Sequence, residues 1–399
     1  MLSAVNNSVR RRLTLLGPAF VAAVAYVDPG NVAANITAGA RYGFLLLWVL
    51  VVANTMSVIV QYQAAKLGLV TGKSLPQLLH DHMSRPARWA YFAQAEIVII
   101  ATDLAEIVGG AVALNLLFGL PLLLGGTIMG VASLGLLAFQ TTHNPKIFET
   151  IIVGLLLVIT VGFIAGLVVT PPPLPAVAEG LIPRFAGPDS VLVAASMLGA
   201  TVMPHAIYLH SSLVRNPPDR LAPMLAATRI DVVSALALAG TVNIALLVLA
   251  GTALPETDTL ADAHAAIDTV LGGGISTVFA IGLLASSLAS TSVGAYAGAE
   301  IMDGLLDIDI PLWLMRVITL IPALAVLALG AEPTWALVVS QVILSFGIPF
   351  ALIPLTWATG SAAVMGRYRN TALLRVLSVV ITAVIVVLNA VLVWQVLAG

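Results

Sequence analysis

The 399 residues contain no cysteine, which excludes disulfides and every thiolate metal site. Charge is scarce: 9% of residues are charged against 60% hydrophobic, and mean hydropathy is +1.05, so a single water-soluble core under a solvated surface is excluded. The apolar runs lack strand-like alternation, which removes a porin-like barrel. There is no Gly-x-Ser-x-Gly and no His-Glu-x-x-His, the arrangements that activate a serine or a zinc-bound water in hydrolases. The continuous pore-lining polarity or selectivity ring of a channel is missing too. No long polar linker divides the chain, so residues 1–399 read as one domain.

What is present is a succession of apolar runs, each long enough to cross a hydrocarbon layer of roughly 30 Å, for which about 20 helical residues suffice. Eleven spans are predicted, near 13–40, 43–67, 88–118, 120–140, 147–169, 188–214, 224–253, 270–303, 311–330, 334–358 and 372–397. Helix is the expected form, because backbone polar groups in lipid must be satisfied within the segment. The stretches at about 66–87, 170–187, 215–223 and 254–269 read as loops.

The basic start and apolar run ending near Ala23-Val24-Ala25 imitate a signal peptide. The polar Asp28-Pro29-Gly30-Asn31 segment leads straight into more helix, so this run is read as the first span. Basic residues set the orientation. With the amino terminus inside, Arg10, Arg11, Arg12, Lys66, Lys73, Arg85, Arg88, Lys146, Arg215, Arg220, Arg229, Arg316, Arg367, Arg369 and Arg375 are cytoplasmic and only Arg41 and Arg184 lie outside. The expected location is the plasma (inner) membrane, with the carboxyl terminus outside.

Two spans are interrupted. Asp28-Pro29-Gly30-Asn31 breaks the first and Met203-Pro204-His205 the sixth. Proline removes an N–H and clashes with the preceding turn, and glycine adds backbone freedom, so both sites should unwind and free carbonyls such as those of Ala25 and Ala200. Irregular backbone at that depth survives only where it lines a cavity or is buried in protein. Five spans separate the breaks; because five is odd, the second set enters the membrane from the opposite side, the signature of an inverted repeat in secondary transporters. The repeats would cover about 13–169 and 188–358, with an extra helix near 372–397.

The two broken motifs in this register, with Ser340-Gln341-Val342-Ile343-Leu344-Ser345-Phe346 in the tenth span, resemble the signature of the Nramp family of proton-coupled divalent-metal transporters. The resemblance covers nearly the whole chain. It implies an all-α membrane protein of eleven helices, a leucine-transporter-like 5+5 inverted repeat with helices 1 and 6 unwound mid-membrane, importing manganese(II), iron(II) and similar ions with protons. Its partners would be the bilayer and the transported ions, with no resident cofactor, no nucleic acid, no obligate protein partner and no enzymatic activity.

The residues themselves suit that cargo. Asp28 offers a hard anionic oxygen, Asn31 an amide oxygen and Met203 a thioether, with the Ala200 carbonyl one turn before it. Oxygen donors alone suit magnesium and calcium; the thioether favours softer manganese(II), iron(II), cobalt(II) and cadmium(II). The resemblance adds the Ala25 carbonyl, Gln61 and Gln341 to the ligand set. Glu96, Asp103 and Glu106, spaced by seven and three, share one face of the third span, and acids at such depth read as functional. His205 and His210 lie on the inner half of the sixth span, and the free imidazole side chain, which titrates near neutral pH, suits a proton relay. Arg316 matches a family arginine that acts as counter-charge; where many relatives have two adjacent arginines this chain has Met315-Arg316.

Lesser features are Gly126 and Gly130, Gly162 and Gly166, and Gly294 and Gly298, small-xxx-small pairs that permit close helix packing. Ser286, Ser287, Ser290, Thr291 and Ser292 enrich the eighth span in hydroxyls, and Asp231 and Asn243 fall in the seventh. The alternatives are a cation-coupled amino-acid symporter of the same fold, whose substrate carboxylate would prefer bare helix N-termini to an acid, and a magnesium-transporting Nramp relative, disfavoured by Met203.

Overall fold

The computed structural model describes residues 17–142, scattered positions from 154 to 169, 170–215, 221–254, 257, 259–308 and 311–398. Arg10, Arg11, Arg12, Lys146, Gly162, Arg220, most of the 147–169 span and the side chain of Ser292 lie outside the described residues.

All regular structure among the described residues is helical. The first span comprises α1 (Pro18–Val24), a 3₁₀ turn (Ala25–Val27) and α2 (Pro29–Tyr42). It is followed by α3 (Leu47–Thr71), α4 (Leu75–His82), α5 (Arg85–Phe118), α6 (Leu122–Thr142) and α7 (Leu174–Glu179). The sixth span comprises α8 (Pro188–Thr201) and α9 (Pro204–Leu213). Then come α10 (Leu221–Ala253), α11 (Leu260–Leu271), α12 (Gly273–Leu306), α13 (Leu312–Ala328), α14 (Pro333–Gly360), α15 (Ala362–Met365) and α16 (Ala372–Ala398).

Among the described residues, seven helical stretches are long and apolar enough to cross a membrane, and Pro18–Val27, Leu122–Gly135 and Trp313–Ala328 are shorter apolar helices. The long stretches differ in burial. The α8–α9 stretch has 89% of its apolar window inside the protein, whereas α16 has 22% and turns Val379, Val380, Val387 and Val391 outward. An apolar helix exposed to this degree is stable only in lipid. The broken spans therefore form the centre, and α5, α10, α12 and α14 pack around them.

Three of the stretches read as loops contain helices, α4, α7 and α11. For two of these the cause is local. Ser74 and Gln77 form a reciprocal capping box at the start of α4, and Thr259 and Asp262 do the same for α11. Both helices are short and lie against α12, so hydropathy aimed at spans passes over them. Gly72, at φ 68°, closes α3 in the left-handed conformation and turns the chain into Ser74.

Candidate functional site

Proline chemistry shapes both breaks. Pro29 and Pro204 start α2 and α9 at positions where a missing N–H costs nothing, and the residues before them are extended: Asp28 at φ −71°, ψ 167°, Met203 at φ −81°, ψ 121°. All four are buried. The carbonyls that regular helix would have satisfied are met from elsewhere. Asn31 Nδ2 donates to the Tyr26 carbonyl (2.9 Å) and to the Ala200 carbonyl (2.6 Å), joining the two breaks through one amide. Asn243 Nδ2 also donates to Tyr26 (2.8 Å), Ser57 Oγ to Thr201 (2.8 Å) and Ser286 Oγ to Val27. The hydroxyl-rich eighth span thus supplies an interhelical hydrogen bond here.

Asp28 uses one carboxylate oxygen to cap α2, accepting from the Asn31 N–H at 2.7 Å; its Oδ2 has no partner. Gln341 faces this carboxylate from α14, and its Oε1 is likewise unpartnered and buried. Gly30 makes that approach possible, because a Cβ there would collide with the Gln341 side chain. Gly109 does the same where α5 passes Pro29. Among the described residues, Asn31 Oδ1 accepts a long hydrogen bond from Asn35 Nδ2, at 3.5 Å. Met203 is fully buried at the second break and Ala25 opens the 3₁₀ turn. The resulting centre has one carboxylate, neutral oxygen donors and a thioether, and no resident positive charge among its described residues. Buried acceptors without donors are costly unless something arrives to use them. No cluster of three or more histidine, aspartate or glutamate side chains suited to a metal ion occurs among the described residues, so a closed structural-metal cage is not what this centre resembles.

The acids of α5 are divided. Asp103 forms a buried ion pair with Arg316 of α13 and accepts from Thr291 Oγ1 at 3.3 Å, while Arg316 Nε donates to Ser133 Oγ of α6 at 2.7 Å. Glu106, one turn along, has no hydrogen-bond partner on either oxygen. It faces the hydroxyls of Ser290 and Thr291 and is near enough to Asp28 for the two charges to interact. Gly294 lies alongside this carboxylate, where a Cβ would stand 3.4 Å from both oxygens. His205 Nδ1 lies 3.3 Å from Thr102 Oγ1, beside Asp103 in sequence. Met315 is buried beside Arg316, and its methyl group packs on Gly298.

His210 and Gln61 form a separate cluster. Gln61 Oε1 is 2.8 Å from His210 Nδ1, and Gln61 Nε2 donates to the Tyr26 hydroxyl at 2.6 Å. Gln61 thus touches the first break through Tyr26. Glu96 stands apart near the start of α5, without a hydrogen bond. Sequence reasoning passed over Tyr26, Ser133 and Thr102, which carry no motif of their own. Asp231 of the seventh span binds at the start of α1, accepting from the backbone N–H of Gly17 (3.3 Å) and Ala19 (3.1 Å).

Comparison with known proteins identifies the family. The sequence model of the family described as natural resistance-associated macrophage protein-like (Nramp) matches residues 19–395. The chain is 52% identical over 402 residues to the divalent metal cation transporter MntH of Mycobacterium tuberculosis, covering 98% of this chain and 94% of that protein. A crystal structure of the Eremococcus coleocola manganese transporter, in complex with an aromatic bis-isothiourea compound, superposes with a TM-score of 0.86 at 30% identity, covering 96% of this chain and 86% of the other. A more distant structure, MhsT in complex with L-phenylalanine, reaches a TM-score of 0.64 at 13% identity over 93% of this chain and 98% of its own, a likeness of fold alone.

Proposed function

From the premise that the chain belongs to the Nramp family and is a multi-pass secondary transporter of divalent metal ions, we propose that the ion is bound between the two helix breaks. Asp28 Oδ2, Asn31 Oδ1 and Met203 Sδ are the principal ligands. The Ala200 and Ala25 carbonyls, Gln341 and Gln61 join in different stages of the cycle. The observation that carries this reading is the buried Oδ2 of Asp28, without a hydrogen-bond partner, beside the Gln341 side chain, whose Oε1 is also left unpartnered. A carboxylate capped only by neutral donors attracts a dication and holds it with moderate strength, which suits a site that must also release. Met203 sets the preference for manganese(II) and iron(II) over calcium and magnesium.

Protons move inward by a neighbouring route. Asp28 ligates only when ionised, so an arriving dication expels any proton it carries. Glu106 is the first acceptor. Asp103 with Arg316, and His205, continue the path, and Glu96 and His210 lie toward its cytoplasmic end. A negative-inside potential favours entry of each positive charge by roughly 2.3 kcal/mol per 100 mV. The architecture supporting this is eleven spans in a leucine-transporter-like 5+5 inverted repeat, helices 1 and 6 unwound mid-membrane, the amino terminus cytoplasmic and the carboxyl terminus outside. The basic-residue distribution and the two proline breaks support that arrangement.

The test is manganese(II) uptake into proteoliposomes under an inward proton gradient, with excess calcium or magnesium as competitor. Wild type should transport despite the competitor, Asp28→Ala should not transport, and Met203→Ala should become sensitive to the competitor. Normal uptake by Asp28→Ala overturns the site.

A further inference from the structure

Helix α14, which carries Gln341, contains two internal prolines, Pro349 and Pro354. Each removes the N–H that would have bonded to the carbonyl four residues earlier, leaving those of Ser345 and Phe350 without their helical donors. Both are satisfied by a side chain from another helix. Asn389 of α16 donates from Nδ2 to the Ser345 carbonyl at 2.9 Å, and its Oδ1 accepts from Ser345 Oγ at 2.9 Å. Tyr91 of α5 donates to the Phe350 carbonyl and lies 2.7 Å from the Tyr208 hydroxyl of α9.

The Asn389 contact falls one turn from Gln341, where α14 is tightly confined. On the side facing the breaks, a Cβ on Gly199 would collide with the Gln341 carbonyl and lie 3.1 Å from Ser345 Cβ, and one on Gly30 would collide with the Gln341 side chain. Asn389 bonds the same turn through both the carbonyl and the hydroxyl of Ser345. It is a buried amide, 6% exposed, on a helix otherwise largely turned to lipid, which is an expensive place for a polar group with no task.

We propose that Asn389 is a positioning residue for Gln341: its amide replaces the hydrogen bond that Pro349 removes and fixes the turn of α14 that presents Gln341 to the transported ion. The eleventh helix, outside the repeats, thereby becomes part of the transport machinery. This rests on the reading of Gln341 as a metal ligand. Asn389 itself touches no ion.

The experiment is manganese(II) uptake by the reconstituted full chain for wild type, Asn389→Leu, Gln341→Ala and the double variant. Asn389→Leu should raise KM about five- to tenfold, the scale of one buried hydrogen bond, with the maximal rate nearly unchanged. The double variant should show no higher KM than Gln341→Ala alone, because Asn389 acts only through Gln341. Should Asn389→Leu fail to accumulate, Asn389→Asp, which keeps the shape and the acceptor but loses the donor, replaces it in the same cycle. In a Pro349→Ala background the restored N–H should abolish the KM shift. A wild-type KM for the Asn389 variant, or multiplying effects in the double variant, overturns the positioning role while leaving the metal site standing. A wild type that transports no manganese overturns both.

Discussion

Asp28 and Asp103 are both fully or nearly fully buried aspartates in the same apolar interior, yet their surroundings are opposite. Asp103 is held by a guanidinium that is itself fixed by Ser133. Asp28 is held by a backbone N–H and faces an amide, and one of its oxygens is left over. Burying a charge requires compensation. At Asp103 the compensation is permanent and comes from Arg316. At Asp28 no described side chain supplies a positive charge, and the proposed roles rest on this contrast: structure or charge relay at Asp103, uptake of the ion at Asp28.

The comparison is broken most severely at Asp28. Asp28→Ala should lower manganese(II) uptake at least about a hundredfold, equivalent to some 2.7 kcal/mol of binding, with little loss of folded protein by size-exclusion profile, because no buried cation is orphaned. Arg316→Ala should do the reverse to the fold. It leaves Asp103 buried and unpaired, a cost of about 3–5 kcal/mol, seen as a marked drop in detergent melting temperature. Replacing both partners, Asp103→Leu with Arg316→Met, should recover most of that loss while leaving proton-coupled uptake impaired.

Met203→Ala sharpens the picture at the cargo end. Removing the thioether should cost about tenfold in discrimination of manganese(II) over calcium, read from competition uptake, with smaller loss of manganese transport itself. The smallest effect is expected at the surface ion pair of Lys73 with Asp81, 2.6 Å apart but 50% and 40% exposed. The hydrogen bond from Lys73 holds the Asp81 carboxyl below its ordinary value. Any stability this adds is present above the unfolded carboxylate range and is lost as pH falls through the folded value. In solvent the gain is largely screened, so Lys73→Ala should leave the melting temperature at neutral pH essentially unchanged.

Much of the fold was legible because its signals are local. The described spans begin and end within a few residues of where hydropathy places them, and Pro29 and Pro204 mark the two interruptions. The short helices α4 and α11 were legible in principle, in the Ser74/Gln77 and Thr259/Asp262 capping boxes, but amphipathic turns of this length carry little hydropathy. Within the candidate site, the residue types at Asp28, Asn31 and Met203 are what suggest a soft-dication centre in the proposed reading. Their partners did not. Gln61 meets His210 across 149 residues and Tyr26 across 35. Nothing in the local sequence of any of the three predicts that cluster, since side-chain hydrogen bonds between helices depend on helix rotation and packing.

The sequence by itself determined that this protein lives in a membrane, that its spans are helical, and that two of them break beside an acid, an amide and a thioether. Hydropathy, backbone hydrogen bonding and the missing proline N–H act over a few residues and need no fold to be read. Only the tertiary structure decided which buried carboxylate is paired and which is left open. Arg316 and Asp103 are 213 residues apart, and Asn31 reaches the Ala200 carbonyl across 169. Close approach of that kind depends on where Gly30, Gly109 and Gly199 let neighbouring helices touch. Charge compensation in a low-dielectric interior is set by such distances, and these exist only once the helices are packed.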